Sequence, residues 1–393
     1  MTFEILETET RGTIIKVVGV GGAGGNAVEH MIRRGVQGVE FICANTDHQA
    51  LARSSSKNVL QLGKTGLGAG SRPEAGRQAA DEGRDRIADA LRGAHMVFIT
   101  AGMGGGTGTG AAPVVAEIAK ELGILTVAVV SKPFEFEGPK RAKVAEAGLA
   151  ELEATVHSLI VILNNKLEEV MGEDAEMADC FRAADDVLHN ACAGIAEIIN
   201  VPGLVNVDFE DVKTVMGEHG KAMMGTATAS GLDRARIAAE QAVASPLLEG
   251  VDLSGARGVL VNITASSSLK MKETREVMNT IRAFAAEDAT VIFGTVCDES
   301  IGDGLRVTVV ATGLGRAAAK KQSTPFTIVR TGTDNVPMAV APTKEAGASS
   351  DYSHLDTPAV WRSRDSAQQR VSALEDSGSD RYDIPAFLRK QAD

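Results

Sequence analysis

The chain has 393 residues, a length typical of two or three domains, and its 44% hydrophobic content can fill sizeable cores. Only 4% of the residues are aromatic, so aliphatic side chains must do most of the packing. The net charge of −12 argues against direct nucleic-acid binding, which needs clustered lysine and arginine. No apolar run reaches membrane-spanning length, and the first residues show neither the basic nor the apolar region of a signal peptide.

The cysteines predict a reducing environment. Cys43, Cys180, Cys192 and Cys297 are widely spaced, form no C-x-x-C pair and lie in apolar segments. This pattern is typical of free thiols inside the core of a cytosolic protein. We therefore expect a soluble, cytoplasmic chain that reaches a membrane only through other proteins.

Short apolar runs alternate with amphipathic stretches from residue 13 onward. Strands are predicted over 13–20, 39–44, 95–100, 124–131 and 158–163, and helices over 25–34, 73–92, 110–122 and 139–155. Strands that are almost entirely apolar and alternate with helices indicate a parallel sheet covered on both faces. The sequence therefore predicts an α/β domain with a Rossmann-type parallel sheet over residues 13–175.

The second half of the chain has a different arrangement of predicted elements. A long connecting helix is predicted over 176–200, inside a segment that runs to residue 220. A smaller α+β domain is predicted over 221–315, with strands over 221–229, 257–264, 289–297 and 304–312 and helices over 232–244 and 271–286. Residues 316–378 are rich in Ala, Ser, Thr, Asp and Pro, and such a segment buries too little apolar area to offset its ordering entropy. We expect a disordered linker there, a flexible tail over 1–12 and a separate peptide over 379–393.

Three glycine-rich turns stand out. GVGGAGG at 19–25 follows the first strand, GMGGGTGTG at 102–110 follows the third predicted strand, and GLGAG at 66–70 precedes the helix at 73. Ligands of an open parallel sheet bind at the carboxyl ends of its strands, where the following helices point their N-termini. Missing Cβ atoms let the backbone approach a phosphate, and helix N-termini add positive potential. Three such turns at one edge of the sheet predict a polyphosphate site.

The first turn alone fits a second function. Gly19, Gly21 and Gly24 match G-x-G-x-x-G, with Glu40 or Asp47 about 20 residues further on. A nicotinamide-dependent oxidoreductase is therefore an alternative. It leaves the glycines of 104–110 unexplained, and the sequence offers no recognisable catalytic His/Lys pair for it.

The stretch GGGTGTG at 104–110 resembles the signature loop of the tubulin superfamily. With the other loops, the chain resembles the FtsZ family of bacterial cell-division GTPases over about 13–315 and again at 382–393. The resemblance implies a tubulin-like fold, binding of GTP and GDP, and Mg²⁺ held through phosphates and water. The positions that match the family's nucleotide contacts are Gly22, Ala23, Gly24, Gly25, Asn26, Gly68, Ala69, Gly70, Gly104, Gly105, Gly106, Thr107, Gly108, Glu137, Arg141, Asn164 and Asp185.

The resemblance also implies a role for each group of positions. The loops at 22–26 and 106–108 would contact phosphates, and 66–70 would close over the γ-phosphate. Glu137 and Arg141 would hold the ribose and neighbouring phosphates, and Asn164 and Asp185 would read the guanine. Asp185 and Asp186 could instead be a plain solvated helix face.

The chain departs from the family pattern at two places. The family usually has proline before the base-contacting asparagine, whereas this chain has Leu163-Asn164-Asn165; losing proline frees φ and adds a backbone donor. Most members have alanine where this chain has Glu210, which adds charge beside the loop described next.

The segment NVDFEDVKTVM at 206–216 resembles the family's catalytic loop, with Asn206, Asp208 and Asp211 as its functional side chains. A structural alternative is that Asp208 caps the next helix with Asp211 as its N3 partner. About 20 mostly helical residues, or roughly 30 Å, separate this loop from Asp185. These carboxylates can therefore act only on the nucleotide of a neighbouring molecule. We expect a head-to-tail homopolymer that forms the division ring, with a GTPase site completed between subunits; a filament without turnover is the alternative.

The last residues form an isolated apolar set. Ile384, Phe387 and Leu388 lie at i, i+3 and i+4, as in a short helix that docks into a groove. The resemblance implies that this peptide meets membrane-anchoring adaptors of the FtsA and ZipA type and Min-type spatial regulators, at mid-cell beneath the inner membrane. A frayed tail is the alternative. The predicted contact residues are Tyr382, Ile384, Pro385, Phe387, Leu388, Arg389 and Lys390.

Overall fold

The structure, a computed structural model, describes residues 12–172, 174–201, 203–217, 220–245, 256–286 and 289–314. The predicted linker over 316–378, the C-terminal peptide and all but the last residue of the predicted N-terminal tail lie outside these residues. No helix in the described ranges is long and apolar enough to cross a membrane.

The described residues form one sheet of ten strands, in the spatial order β3-β2-β1-β4-β5-β6-β7-β10-β8-β9. The first seven positions are parallel; β10 runs antiparallel to both β7 and β8, and β9 is parallel to β8. The strands are β1 Ile15–Val20, β2 Val39–Asn45, β3 Asn58–Gln61, β4 Met96–Gly102, β5 Leu125–Lys132, β6 Ser158–Leu163, β7 Gly220–Ser230, β8 Gly258–Ala265, β9 Thr290–Cys297 and β10 Gly304–Leu314.

Eleven α-helices occur in the same described residues and cover both faces of the sheet. They are α1 Gly21–Arg33, α2 His48–Ala52, α3 Pro73–Asp81, α4 Arg84–Leu91, α5 Thr107–Glu121, α6 Pro139–Thr155, α7 Asn164–Met171, α8 Met177–Asn200, α9 Phe209–Met216, α10 Arg234–Val243 and α11 Met271–Arg282. A 3-10 turn, Glu135–Glu137, follows β5.

Alternate residues of each central strand enter different cores, because successive side chains of a strand point to opposite faces. On β1, Ile15 and Val17 pack in one core with α1 and α8, while Val18 and Val20 pack in another beneath α3 to α6. A third core lies under α10 and α11. Helix α8 shares the first core with both halves of the chain, so it joins them.

The structure corrects several element boundaries. The helix predicted over 73–92 is two helices, because Gly83 caps α4 and glycine is a poor helix residue. Helices α1 and α5 begin earlier than predicted, at Gly21 and Thr107, so the glycine turns include their first turns. Helix α11 ends at Arg282 rather than residue 286.

The sequence prediction missed α2, α7 and the edge strand β3. The prediction that all four cysteines lie in the core is wrong for Cys297, which is exposed, while the other three are buried. Cys297 ends β9, which is the edge strand of the sheet formed by the described residues.

Candidate functional site

Two helices begin directly after parallel strands at the same edge of the sheet. Helix α1 starts at the residue after β1, and α5 starts five residues after β4. Neither helix has a side-chain cap at its N-terminus, and neither has an acidic residue in its first turn. Their first backbone N–H groups and the positive ends of both helix dipoles are therefore available to an anion.

Glycine lets the three turns pack against one another. A Cβ on Gly19 would lie 2.3 Å from the carbonyl oxygen of Gly24, so α1 lies close against β1. Gly21, with a φ of 76°, lies against the Gly108 backbone, where a Cβ would come within 2.9 Å of the nitrogen. On the other side, a Cβ on Gly106 would come within 2.9 Å of the Ala69 methyl. These contacts join the turns into one surface.

Two other glycines are not explained by packing. Gly22 and Gly25 have a negative φ, and a Cβ on either would meet no atom within 4 Å beyond the adjoining backbone of its own helix. The fold itself would accept a side chain at both positions, and both line a cavity. Close approach of a ligand is the remaining physical reason for glycine there.

A cavity of about 310 Å³ lies between α1, β5, α7 and α8. Of the residues predicted from the sequence, it is lined by Gly22, Ala23, Asn26, Glu137, Arg141, Asn164 and Asp185. An adjoining cavity of about 610 Å³ is lined by Gly22, Gly25, Asn26, Gly68 and Thr107. Gly22 and Asn26 belong to both, so the two cavities meet at the first turns of α1.

Two side chains of the smaller cavity are polar and poorly satisfied. Asn164 is 4% exposed, and its Oδ1 atom has no hydrogen-bond partner among the described residues. Burial raises the pKa of Asp185 to about 6; the nearby charge of His30 lowers this pKa and that of Asp186 raises it. A buried acceptor without a donor is costly, so both groups indicate a ligand that donates hydrogen bonds. Guanine presents such donors at N1–H and N2–H₂.

The replacement of the family's proline by Leu163 does not disturb the part of the smaller cavity around Asn164. Leu163 is extended, with a φ of −91°, and caps α7, so Asn164 is the first residue of that helix. Asn165 accepts a hydrogen bond from the backbone N–H of Glu135 at 2.9 Å. Glu137 in turn accepts from the backbone N–H of Phe134 and pairs with Arg141 at 3.0 Å. Asn165 therefore helps to hold the turn that carries Glu137.

Some of the predicted loop residues line neither cavity, and several of them make contacts within the protein. Gly24 packs α1 on the sheet, and the hydroxyl of Thr109 accepts from the backbone N–H of Gly104 at 2.9 Å. Thr107, which does line the larger cavity, also shares a 2.6 Å hydrogen bond with Thr46. The predicted residues that line neither cavity are Gly24, Ala69, Gly70, Gly104, Gly105, Gly106 and Gly108.

Several lining residues were not predicted from the sequence. Ser131, Lys132 and Pro133 lie at the carboxyl end of β5, an edge that the fold rule for parallel sheets could have identified. Phe181, Ala184 and Leu188 lie at i, i+3 and i+7 on α8, on the face that carries Asp185. That spacing was visible in the sequence.

The acidic loop follows the C-terminal end of α8, beyond Asn200. The Asp208 carboxylate accepts from the backbone N–H of Asp211 at 2.8 Å and caps α9, as the structural alternative predicted. Asn206 accepts from the backbone N–H of Gly203 at 2.8 Å, while Asp211 is exposed. Glu210 pairs with Lys213 at 3.1 Å. None of the three predicted catalytic residues lines the cavities described above.

Comparison with known proteins decides the family. Residues 14–172 match the model of the Tubulin/FtsZ family GTPase domain, and residues 220–315 match the FtsZ family C-terminal domain. The chain belongs to the tubulin/FtsZ family. It is 54% identical to the cell division protein FtsZ of Coxiella burnetii, over 99% of each chain, and 54% identical to that of Pseudomonas aeruginosa, over 100% of each.

Comparison with solved structures supports the same family assignment. The chain resembles an empty FtsZ dimer from M. jannaschii at 43% identity with a TM-score of 0.74, covering 78% of this chain and 89% of that one. The chain also resembles CetZ2 from Haloferax volcanii, at 19% identity with a TM-score of 0.65, covering 78% of this chain and 95% of that one. This likeness concerns the fold alone. The family assignment confirms the predicted tubulin-like fold and the predicted GTPase domain.

Proposed function

We propose that this protein is a GTPase that polymerises head-to-tail and completes each active site across the interface between two subunits, to build the ring that divides the cell. One observation carries the proposal: the smaller cavity meets α8 at Asp185, whereas the acidic loop follows the C-terminal end of that helix at Asn200. The helix rises about 22 Å between these two residues. A carboxylate of the loop therefore reaches a γ-phosphate only in a neighbouring copy.

We assign the two cavities to the two ends of GTP. The uncapped N-termini of α1 and α5 would hold the phosphates through backbone N–H groups. Asn164 and Asp185 would accept the guanine N1–H and N2–H₂ donors, and Glu137 and Arg141 would hold the ribose and the adjacent phosphates. The space beside Gly22 and Gly25, which a Cβ would enter without meeting another part of the protein, supports close approach of a polyphosphate there.

Hydrolysis would need only positioning and charge stabilisation. The exposed Asp211 carboxylate can orient the attacking water, with Asn206 and Asp208 fixing the backbone of the loop. No group of three His, Cys, Asp or Glu side chains in the described part of the chain is arranged to hold a metal ion. Mg²⁺ would be held by phosphate oxygens and water, and when bound it would neutralise charge on the phosphates.

Exposed apolar side chains lie both on the surface around the cavities and on the surface around the acidic loop, which would meet in the filament. Leu67, in the loop over the phosphate end, is 88% exposed, and Phe136, beside Glu137, is 61% exposed. Leu204, just before the acidic loop, is 76% exposed. Burying such side chains favours association, and a contact between different surfaces repeats into a filament.

The proposal is tested by the GTPase rate per subunit at increasing protein concentration, read together with light scattering. We expect the rate to rise steeply where scattering appears. A rate per subunit that is constant with concentration would contradict the shared site. Filaments without phosphate release would identify a nucleotide-binding polymer instead, and selective binding of NAD would identify the oxidoreductase.

We propose in addition that the peptide at 379–393 binds adaptors of the FtsA and ZipA type and Min-type regulators, which would recruit the filament to mid-cell. Its residues lie outside the described structure, so sequence pattern and resemblance support this step. A flexible linker of about 60 residues has a root-mean-square span of about 45 Å. Deleting 380–393 should preserve GTPase activity and polymerisation and abolish adaptor binding; unchanged adaptor affinity would contradict it.

A further inference from the structure

Two neighbouring carboxylates on α8 have different surroundings. Consecutive residues of an α-helix point about 100° apart, so Asp185 and Asp186 cannot face the same way. Asp185 lines the smaller cavity, at the end that we assign to the base. Asp186 instead faces α1, the helix whose first turn borders both cavities.

Asp186 holds two side chains of α1 on one oxygen atom. His30 Nε2 donates to Oδ1 of Asp186 at 2.8 Å, and Arg34 Nη2 donates to the same atom at 2.7 Å. The His189 ring of α8 lies edge-on to His30, with 6.1 Å between ring centroids. We call Asp186, His30 and Arg34 the α1–α8 clamp. Beneath it the two helices share the core residues Ala27, Met31, Leu188 and Ala191.

Asp185 has no such partners. It accepts no hydrogen bond from any side chain in the described ranges, yet it is close enough to His30 for that charge to lower its pKa. His30 is thus near enough to interact with both carboxylates, and it bonds only to Asp186. Without the charge of Asp186, Asp185 would be the neighbouring carboxylate available to His30.

We propose that Asp186 is a positioning residue that sets guanine specificity: it holds His30 away from Asp185 and leaves the Asp185 carboxylate free to accept from the base. This inference rests on the proposed assignment of Asp185 to guanine. The clamp also fixes the rotation of α8 against α1, so the helix that faces the base is held to the helix that faces the phosphates.

The test compares GTP with inosine triphosphate, which lacks only the 2-amino group. A hydrogen bond to a charged acceptor is worth about ten- to a hundredfold in affinity, so the wild-type protein should prefer GTP by at least about tenfold. In Asp186→Asn the preference should fall below about threefold. Asp186→Glu, which restores the charge, should recover most of it.

Asp179→Asn is the matched control, because Asp179 lies on the same helix and pairs with Arg182 within that helix. It should keep the full preference for GTP. A purely structural role for Asp186 would weaken both nucleotides equally and leave their ratio unchanged, and that result would overturn the inference, as would an equal loss in Asp179→Asn.

Asp185→Asn separates this inference from the proposed function. If Asp185→Asn abolishes the preference for GTP while Asp186→Asn keeps it, the clamp inference is wrong and the base contact stands. If Asp185→Asn itself keeps the preference, the assignment of Asp185 to the base is wrong, and the inference about Asp186 falls with it.

Discussion

Titration of Asp185 should control guanine binding. Burial raises the pKa of its carboxyl from 3.8 to about 6. Only the carboxylate can accept both guanine donors, so GTP affinity should be lost as the pH falls through about 6. About nine-tenths of the carboxyls are charged at pH 7 and about one-tenth at pH 5, which predicts about a tenfold loss of affinity between these values.

The assay is equilibrium binding of GTP from pH 5 to pH 8 to the wild-type protein and to Asp185→Asn. The triphosphate titrates in the same range, but it does so equally for both proteins, so the ratio of their affinities isolates Asp185. We expect this ratio to fall toward one as the pH falls. A ratio that is constant from pH 5 to pH 8 would refute the argument.

The same raised pKa has the opposite consequence for the nucleotide-free protein. A buried group whose folded pKa is raised stabilises the fold below its unfolded pKa, and that contribution is lost as the pH rises through about 6. Asp185→Asn should therefore unfold at a higher temperature than wild type above pH 6, while it binds GTP more weakly. A lower unfolding temperature there would contradict the assignment of the shift to burial.

Thr107→Trp should abolish GTP binding, because the indole would fill the phosphate end of the site; normal affinity in a filter-binding assay would remove that loop from the site. Gly22→Ala should weaken GTP binding without lowering the unfolding temperature. Gly19→Ala, whose methyl would lie 2.3 Å from a backbone oxygen, should unfold at a lower temperature, and equal melting of the two variants would contradict the packing argument. Arg234→Met should cost about 3–5 kcal/mol in urea denaturation, because Glu273 loses its ion-pair partner; a loss below about 1 kcal/mol would count against this.

The sequence was sufficient to predict the parallel sheet, its edge of glycine turns and the fold family. The strands at its centre are almost wholly apolar, so their pattern is unambiguous. Strand β3 was missed because it lies at the edge of the sheet and is half exposed, and α2 because it has only five residues. Short, partly exposed elements carry too few apolar residues to show a period.

Long-range pairing was the larger gap. The sequence predicted a GTPase domain and a smaller second domain, but it did not show that Ser158, Leu159 and Ile160 of β6 pair with β7, so that both domains share one continuous sheet. Three residue pairs between distant segments leave no local pattern to detect. The different surroundings of Asp185 and Asp186 were equally invisible, because two adjacent carboxylates look alike until α1 is placed against α8.

The shared active site is tested most directly by mixing two variants that are each inactive as GTPases. Asp211→Ala should bind GTP without hydrolysing it, and Thr107→Trp should keep its acidic loop without binding GTP. If each site is completed by a neighbour, an equal mixture should regain up to about a quarter of the wild-type rate, since half of the subunits carry GTP and half of those would meet an intact loop. A mixture that stays inactive at every ratio, although Asp211→Ala still binds GTP, would contradict the account.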